Sequence, residues 1–478
     1  MRARSDLHVL ETALVSIAGL LLCFMPWALG TMQVWSQFVS LGLASLAFAV
    51  ALRNRRYTGE LAPQGDFKLI MWPKLIRFPI FWLGLLLLGY ILIQALNPAW
   101  VYARDGKSWW LNRLDYITWL PSGMETPYKD MNPWRVLVIY SAAWMLGCAL
   151  WVGITRRTAI QTLFSVIVAN GALLAIVGIL QKVTKADKIL WFIPKRAGYE
   201  FATIIYKNHA GAYFNLVLML CTGLLYWHFS RSERRLERRS PAPVFAFFSV
   251  LLGLSVLLSN SRAGTILLML FTSIAFIGFI IRCTISRNEG RSAWVITLLC
   301  AIFALFIGLG AYFLKTDQAF QRIGKLMEDG KTDNSVVTRT LARSATIDMA
   351  ADNLVTGWGA GSFRHYFPVY QRNYPEIYAN GRLRWEYAHN DYVQLLAELG
   401  LIGAAILSAM LAFCTGHLIR QQAWRKPHLM FMVLGLVITA AHAWVDFQFH
   451  NPAILFLWCT SAVLIGRWLE LESRRRNA

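Results

Sequence analysis

FPIFWLGLLLLGYILIQAL, residues Phe78–Leu96, holds 19 consecutive positions without a charged side chain. Its apolar residues are not confined to one face, as they would be in an amphipathic surface helix. A run of roughly 20 such residues is the length that crosses a bilayer as a helix. Read outward from this stretch, the chain repeats the pattern. Candidate spans fall at about 10–30, 33–52, 78–96, 134–154, 159–181, 210–229, 242–259, 265–281, 292–314, 393–419, 428–446 and 452–468. The expected fold is therefore all-α: a single polytopic membrane domain over residues 1–478, with about 12 transmembrane helices.

Composition agrees. Of 478 residues 56% are hydrophobic and 15% charged, and the mean hydropathy is +0.45. Average usage is about 25% charged. The side of the membrane that carries both termini has 25 Lys/Arg against 9 Asp/Glu, and the other side 22 against 17. Arg53–Arg56, Thr155–Arg157, Ser230–Arg239 and Ser473–Arg476 all follow the bias. By the positive-inside rule both termini are cytoplasmic. The net +21 is then mostly a topology signal, and no basic soluble domain exists to bind nucleic acid.

The first apolar run is long and lacks an A-x-A cleavage site, so it reads as a retained helix rather than a secretory signal. All seven cysteines lie in or beside expected spans, which argues against a disulfide framework or a thiolate metal site. Tryptophans such as Trp27, Trp35, Trp100, Trp134 and Trp458 sit near span ends, where interfacial anchoring favours them.

Three outer segments exceed what connection requires: an aromatic one at 97–133, a basic one at 182–209, and a long one at 315–391 with a helix-like centre. Loops of that length are usually functional or disordered, and these are too aromatic for disorder. No internal repeat of the transporter kind is evident.

Within LLSNSRAGTILL (Leu257–Leu268), Ser261 is a candidate N-cap that brings backbone amides and Arg262 to one helix start, a setting suited to an anion. The competing reading is an arginine snorkelling to the interface. In NSVVTRTLARSATIDMAADN (Asn334–Asn353), Arg339 and Arg343 share a helix face, as functional cations or as a solvated face balanced by Asp348 and Asp352. GWGAGSF (Gly357–Phe363) reads as a tight turn, since no strand precedes its glycines.

EYAHNDYVQLLAELGLIG (Glu386–Gly403) places His389 at the mouth of an apolar helix. It is either a proton-transfer group or part of a capping cluster in which Asn390 or Asp391 is the N-cap. In AHAWVDFQFHN, His442, Asp446 and His450 recur at i, i+4 and i+8, but the surrounding pattern favours polar lining over a metal site. No acidic cluster stands ready for Mg²⁺, so no metal or other cofactor is expected, and any phosphate would have to be met by arginines.

These motifs together resemble the O-antigen ligase/O-antigen polymerase superfamily of bacterial inner-membrane glycosyltransferases. The resemblance rests on YKNHAGAYF (Tyr206–Phe214), SNSRAG (Ser259–Gly264), DNLVTGWGAGSF (Asp352–Phe363), the AHNDY-x-QLLAELGLIG string and VDFQFHNPA (Val445–Ala453). It implies transfer of a glycan from undecaprenyl diphosphate to an acceptor hydroxyl, a glycan or lipid A-core, at the periplasmic face, without metal or nucleotide. By motif, His389 matches the family's base, and Arg262 and Arg339 match its diphosphate-binding arginines. Lys207, Asn208, Arg343, Asn390 and Asp391 are supporting candidates, although relatives often carry an aromatic where Arg343 stands.

The resemblance implies a ligase-type enzyme of the inner membrane, with a polymerase for O-antigen or exopolysaccharide as the alternative. A twelve-helix transporter would also account for the spans. It would leave the 77-residue outer loop, with its basic and histidine elements on one side, unexplained.

Overall fold

The computed structural model describes residues 7–58, 65–106, 108–195, 200–235, 240–285, 304–305, 307–312, 334–378 and 385–477. Its helices are α1 (Val9–Trp27), α2 (Val34–Leu52), α3 (Trp72–Ile76), α4 (Pro79–Leu96), α5 (Pro133–Gly153), α6 (Arg157–Val183), α7 (Lys207–Arg235), α8 (Ala242–Leu258), α9 (Arg262–Ile285), α10 (Asn334–Asp352), α11 (Phe363–Gln371), α12 (Asp391–Arg420), α13 (Pro427–Ala443) and α14 (Pro452–Asn477). Eleven of the twelve expected spans coincide with one of them. The expected span at 292–314 lies outside the described residues, apart from 304–305 and 307–312, which are helical. Residues 315–333 of the long loop also lie outside them.

Among the described residues eight helices are long and apolar enough to cross a membrane, and Ala242–Leu258, Arg262–Ile274 and Pro427–Ala443 are shorter apolar helices. The protein is an all-α, multi-pass membrane protein. Prolines Pro79, Pro133, Pro427 and Pro452 open four helices, where the missing N–H costs nothing. Small side chains let helices approach: α2 carries Ala44, Ala47 and Ala51, all fully buried, on the face that meets α5. Leu86, Leu173 and Val250 point outward, as side chains facing lipid do.

The 97–133 segment adds a small sheet to this helical frame. β1 (Pro98–Arg104) pairs antiparallel with β2 (Trp109–Arg113) and parallel with β3 (Gly123–Glu125). Tyr102 and Met124 of this sheet pack with Ala342, Ala345 and Met349 of α10 and Phe363 and Phe367 of α11 in one buried cluster. α10 is the helix expected within Asn334–Asn353. Asp348 and Asp352 on it accept from the hydroxyls of Tyr374 and Tyr370, at 2.6 and 2.7 Å, and so tether α11 and its exit.

α12 is interrupted where the sequence gives GLIG. Gly400 has φ +62 and ψ −169, a conformation that only glycine takes readily. The carbonyls freed by the break do not go unsatisfied. Trp358 N–H donates to Ala397 O and Gly359 N–H to Glu398 O, both at 2.9 Å, and Tyr90 Oη donates to Leu399 O at 3.0 Å. The GWGAGSF turn is therefore a plug for the broken helix. Gly357, Gly359 and Gly361 all have positive φ, and a Cβ on Gly357 would lie 2.5 Å from the Glu398 carbonyl.

Candidate functional site

The first turn of α12 is built around a capped start and a strained residue before it. Asn390 is the N-cap, its side chain accepting from the backbone N–H groups of Tyr392 and Val393. His389 precedes it at φ +53, a left-handed conformation that costs a non-glycine residue about 1–3 kcal/mol and so must be held by its surroundings. Its ring is clasped edge-on by Trp385 and Phe447, with centroids 5.3 and 5.0 Å away.

His389 Nδ1 lies 2.9 Å from Asp446 Oδ1. An ionised carboxylate only accepts, so Nδ1 carries the proton and Nε2 keeps its lone pair. Asp446 is 1% exposed, and several donors converge on it. Phe447 N–H donates to Oδ1 at 3.0 Å; Tyr206 Oη donates to Oδ2 at 3.0 Å, and Asn208 Nδ2 donates to Oδ2 as well. Burial pushes the Asp446 carboxyl up. The hydrogen bond and charge of His389, with Arg339 and His442, outweigh that and hold it well below the usual carboxylate range.

Cations surround this carboxylate. Arg339 of α10 reaches toward Tyr206 Oη at 3.5 Å, and Lys207 at the start of α7 feels the charges of Arg262, Arg339 and Asp446. Arg339, Arg262 and Lys207 thus gather their positive charge around this carboxylate. Ser261 is the cap of α9 as expected: its hydroxyl accepts from Gly264 N–H at 3.1 Å and donates to Asn208 Oδ1 at 2.9 Å. This joins the SNSRAG turn to the YKNHAG turn through one side chain.

The structure thus brings His389, Arg262, Arg339, Lys207 and Asn208 to one place. Arg343 lies one turn further along α10, half-buried, and takes no part in the cluster's described hydrogen bonds. Asp391 belongs to a neighbouring pair. Its Oδ1 is 2.6 Å from His450 Nδ1, and its Oδ2 accepts from Phe449 N–H at 2.8 Å. Burial lowers the His450 imidazole pKa, but the Asp391 hydrogen bond and charge outweigh it and carry the net shift upward. Phe447 stacks on both Tyr206 and Tyr387, at 5.0 and 4.2 Å between ring centroids, and separates the two His–Asp pairs.

His442, Asp446 and His450 do not form one helix face, because α13 ends at Ala443. Asp446 turns to His389 and His450 to Asp391. Among the described residues no group of three His, Cys, Asp or Glu is gathered as a metal site. Sequence reasoning gave Asp446 only a lining role and passed over Tyr206, Tyr387 and Gln394. The signal present for Asp446 was its place, an acid at the outer end of an apolar span inside VDFQFHNPA.

A large apolar cleft of about 710 Å³ lies between α12, α13 and α14, with Tyr392, Leu411, Val437, Trp444, Trp458 and Val463 in its walls. Tyr392 follows the Asn390 cap by two residues and Trp444 precedes Asp446 by two, so the cleft begins beside the polar cluster.

These features define a multi-pass membrane protein with a cation-rich, histidine-bearing site at the mouths of its helices. Residues 247–408 match the family model described as O-Antigen ligase. The matched segment takes in Arg262, Arg339 and His389, while Tyr206 and Asp446 lie outside it. No curated protein matches the chain.

Proposed function

We propose that the protein is a ligase-type glycosyltransferase that moves a glycan from undecaprenyl diphosphate to an acceptor hydroxyl, without a metal, at the periplasmic face of the bacterial inner membrane. The observation that carries the reading is the His389–Asp446 pair, with Nε2 left as the basic nitrogen, set among Arg339, Arg262 and Lys207.

In the reaction the acceptor oxygen forms a bond to the anomeric carbon as the bond from that carbon to the diphosphate oxygen breaks. The electron pair of the broken bond leaves with the diphosphate. The acceptor's proton passes to His389 Nε2, while Asp446 holds the imidazole in the required tautomer and offsets the charge it acquires. A positioned base contributes typically 10²–10⁴-fold. Negative charge grows on the leaving diphosphate, where Arg262 and Arg339 meet it with charge-assisted hydrogen bonds. The apolar cleft that begins at Tyr392 suits a donor whose other end is a lipid. The charge bias of the loops supports cytoplasmic termini and a site on the opposite face.

Arg339→Ala and Arg262→Ala are expected to weaken donor binding about 10- to 100-fold each, since a hydrogen bond to a charged group is worth about 1.5–3 kcal/mol. Lysine at either position recovers only part of the loss, because a point charge does not reproduce the guanidinium fork. Equilibrium binding of the lipid-diphosphate donor to purified variants reads this directly. Unchanged affinity in both alanine variants would overturn the diphosphate assignment.

A further inference from the structure

Gln394 lies one turn into α12, buried, and joins the two His–Asp pairs. Its Oε1 accepts from the Ala388 N–H at 2.9 Å, on the residue just before the left-handed His389. Its Nε2 lies 2.9 Å from His450 Nε2 and donates to Glu398 Oε1 at 3.1 Å. Glu398 is anchored in turn by the Gly361 and Phe363 N–H groups at 2.8 and 3.2 Å. An amide NH₂ can only donate, so His450 Nε2 accepts from Gln394 Nε2, and the imidazole proton sits on Nδ1, facing Asp391.

We infer that Gln394 is a positioning residue for His389, and that its hold on the Ala388 N–H lasts only while His450 is neutral. This rests on the reading of His389 as the base. A proton added at His450 Nε2 sets two donors face to face across 2.9 Å. The amide relieves this by turning over. Its oxygen then meets His450 but leaves the Ala388 N–H, on a residue that is 0% exposed, without an acceptor. The turned amide also points its oxygen at Glu398 Oε1, so the flipped state is opposed from both ends. A backbone at φ +53 persists only where its neighbours over-determine it, and the Ala388 bond is one of those neighbours.

The groups that act on His450 come from several elements. Asp391 and Glu398 of α12 favour its proton, while Arg364 of α11 opposes it. His209 of α7 lies within electrostatic range, the Tyr387 ring is 5.1 Å away, and Asp446 acts on Asp391. The balance lies upward of the ordinary imidazole value, so His450 takes up its proton at a higher pH than an ordinary imidazole does. Two neutral imidazoles are then needed for turnover: His389 to act as base and His450 to leave Gln394 in place. Protonation of His450 therefore adds a proton of its own to the acid limb of turnover, beyond that of the base.

The test is turnover against pH at saturating lipid-diphosphate donor, using the full chain purified in detergent, with His389→Ala alongside. Gln394→Met removes the Ala388 acceptor. It is expected to cut kcat about 10- to 100-fold with donor KM near wild type, and to reduce the acid limb to about one proton. Gln394→Glu keeps an oxygen for Ala388, and its second oxygen can either donate or accept toward His450. It should recover most of the turnover lost in the methionine variant and still show a one-proton limb. If the methionine variant fails to fold, the glutamate variant decides by its limb alone. A two-proton limb in the glutamate variant, or wild-type kcat in the methionine variant, would overturn the inference while an inactive His389→Ala leaves the base assignment standing. Wild-type turnover in His389→Ala would instead remove the reading on which the inference rests.

Discussion

His389→Ala lowers turnover of the lipid-linked donor by about 10²-fold or more, with donor affinity near wild type. The expectation follows from what the ring touches. It meets Asp446, Trp385 and Phe447, whereas the cations that would bind the diphosphate belong to α7, α9 and α10. Removing the imidazole takes away the proton acceptor and leaves Arg262, Arg339 and Lys207 in place. The residue to add back is a base of similar reach, and His389→Gln, which keeps a donor toward Asp446 but has no basic nitrogen, should stay as inactive as the alanine variant. Parallel measurement of turnover and donor affinity on folded protein checks both variants, and normal turnover in either would dismiss His389 as the base.

Asp446→Asn is expected to be comparably damaging, with turnover down by up to about 10⁴-fold, the loss seen when the acid behind a catalytic histidine is made neutral. The carboxylate accepts from His389 Nδ1, Phe447 N, Tyr206 Oη and Asn208 Nδ2. An amide replaces one of its two oxygens with a donor, so whichever way it turns it opposes a donor already there. It also forfeits the charge that favours the Nδ1–H tautomer. Because the folded-state pKa of Asp446 is depressed, the stability this carboxylate contributes is present above the ordinary carboxylate pKa. It is lost only as pH falls through the lower folded value. Asp446 therefore stays ionised across the range in which His450, whose pKa is raised, takes up its proton. An Asp446→Asn variant should lose turnover at every pH rather than shift the profile. A profile displaced along the pH axis with its maximum intact would contradict the role assigned to Asp446.

Much of the helical frame was legible because each bilayer crossing needs about 20 apolar residues in a row, and local composition alone shows that. Phe78–Leu96 became α4 to within a residue, and the YKNHAG and SNSRAG turns open α7 and α9. The three-stranded sheet was visible only as an aromatic-rich segment. SWWLNRLDYITWLP alternates too weakly for a strand reading, and Gly123–Glu125, which pairs with the other side of β1, is only three residues long. The break at Gly400 was hidden inside a run that reads as one helix, since a single glycine there says nothing of the backbone amides of residues 358 and 359 that fill the gap.

The site divided in the same way. His389, Arg262 and Arg339 stand in motifs that carry local signals: a cap, a charge on an apolar border, a helix start. Asp446 does not. The role proposed for it rests on pairing with a residue 57 positions away, and its place at the outer end of an apolar span fits polar lining equally well. Gln394 and His450 are legible only as a network, through the 2.9 Å contact between two helix mouths.

Metal-independent glycan transfer is tested most directly by incubating the purified protein with a glycan on undecaprenyl diphosphate and an acceptor glycan or lipid A-core, in EDTA, and following both products. Free undecaprenyl diphosphate should appear in step with glycan joined to the acceptor, and His389→Ala should slow both by about 10²-fold or more. Donor recovered intact after incubation with folded wild-type protein, with or without added divalent metal, would contradict that expectation.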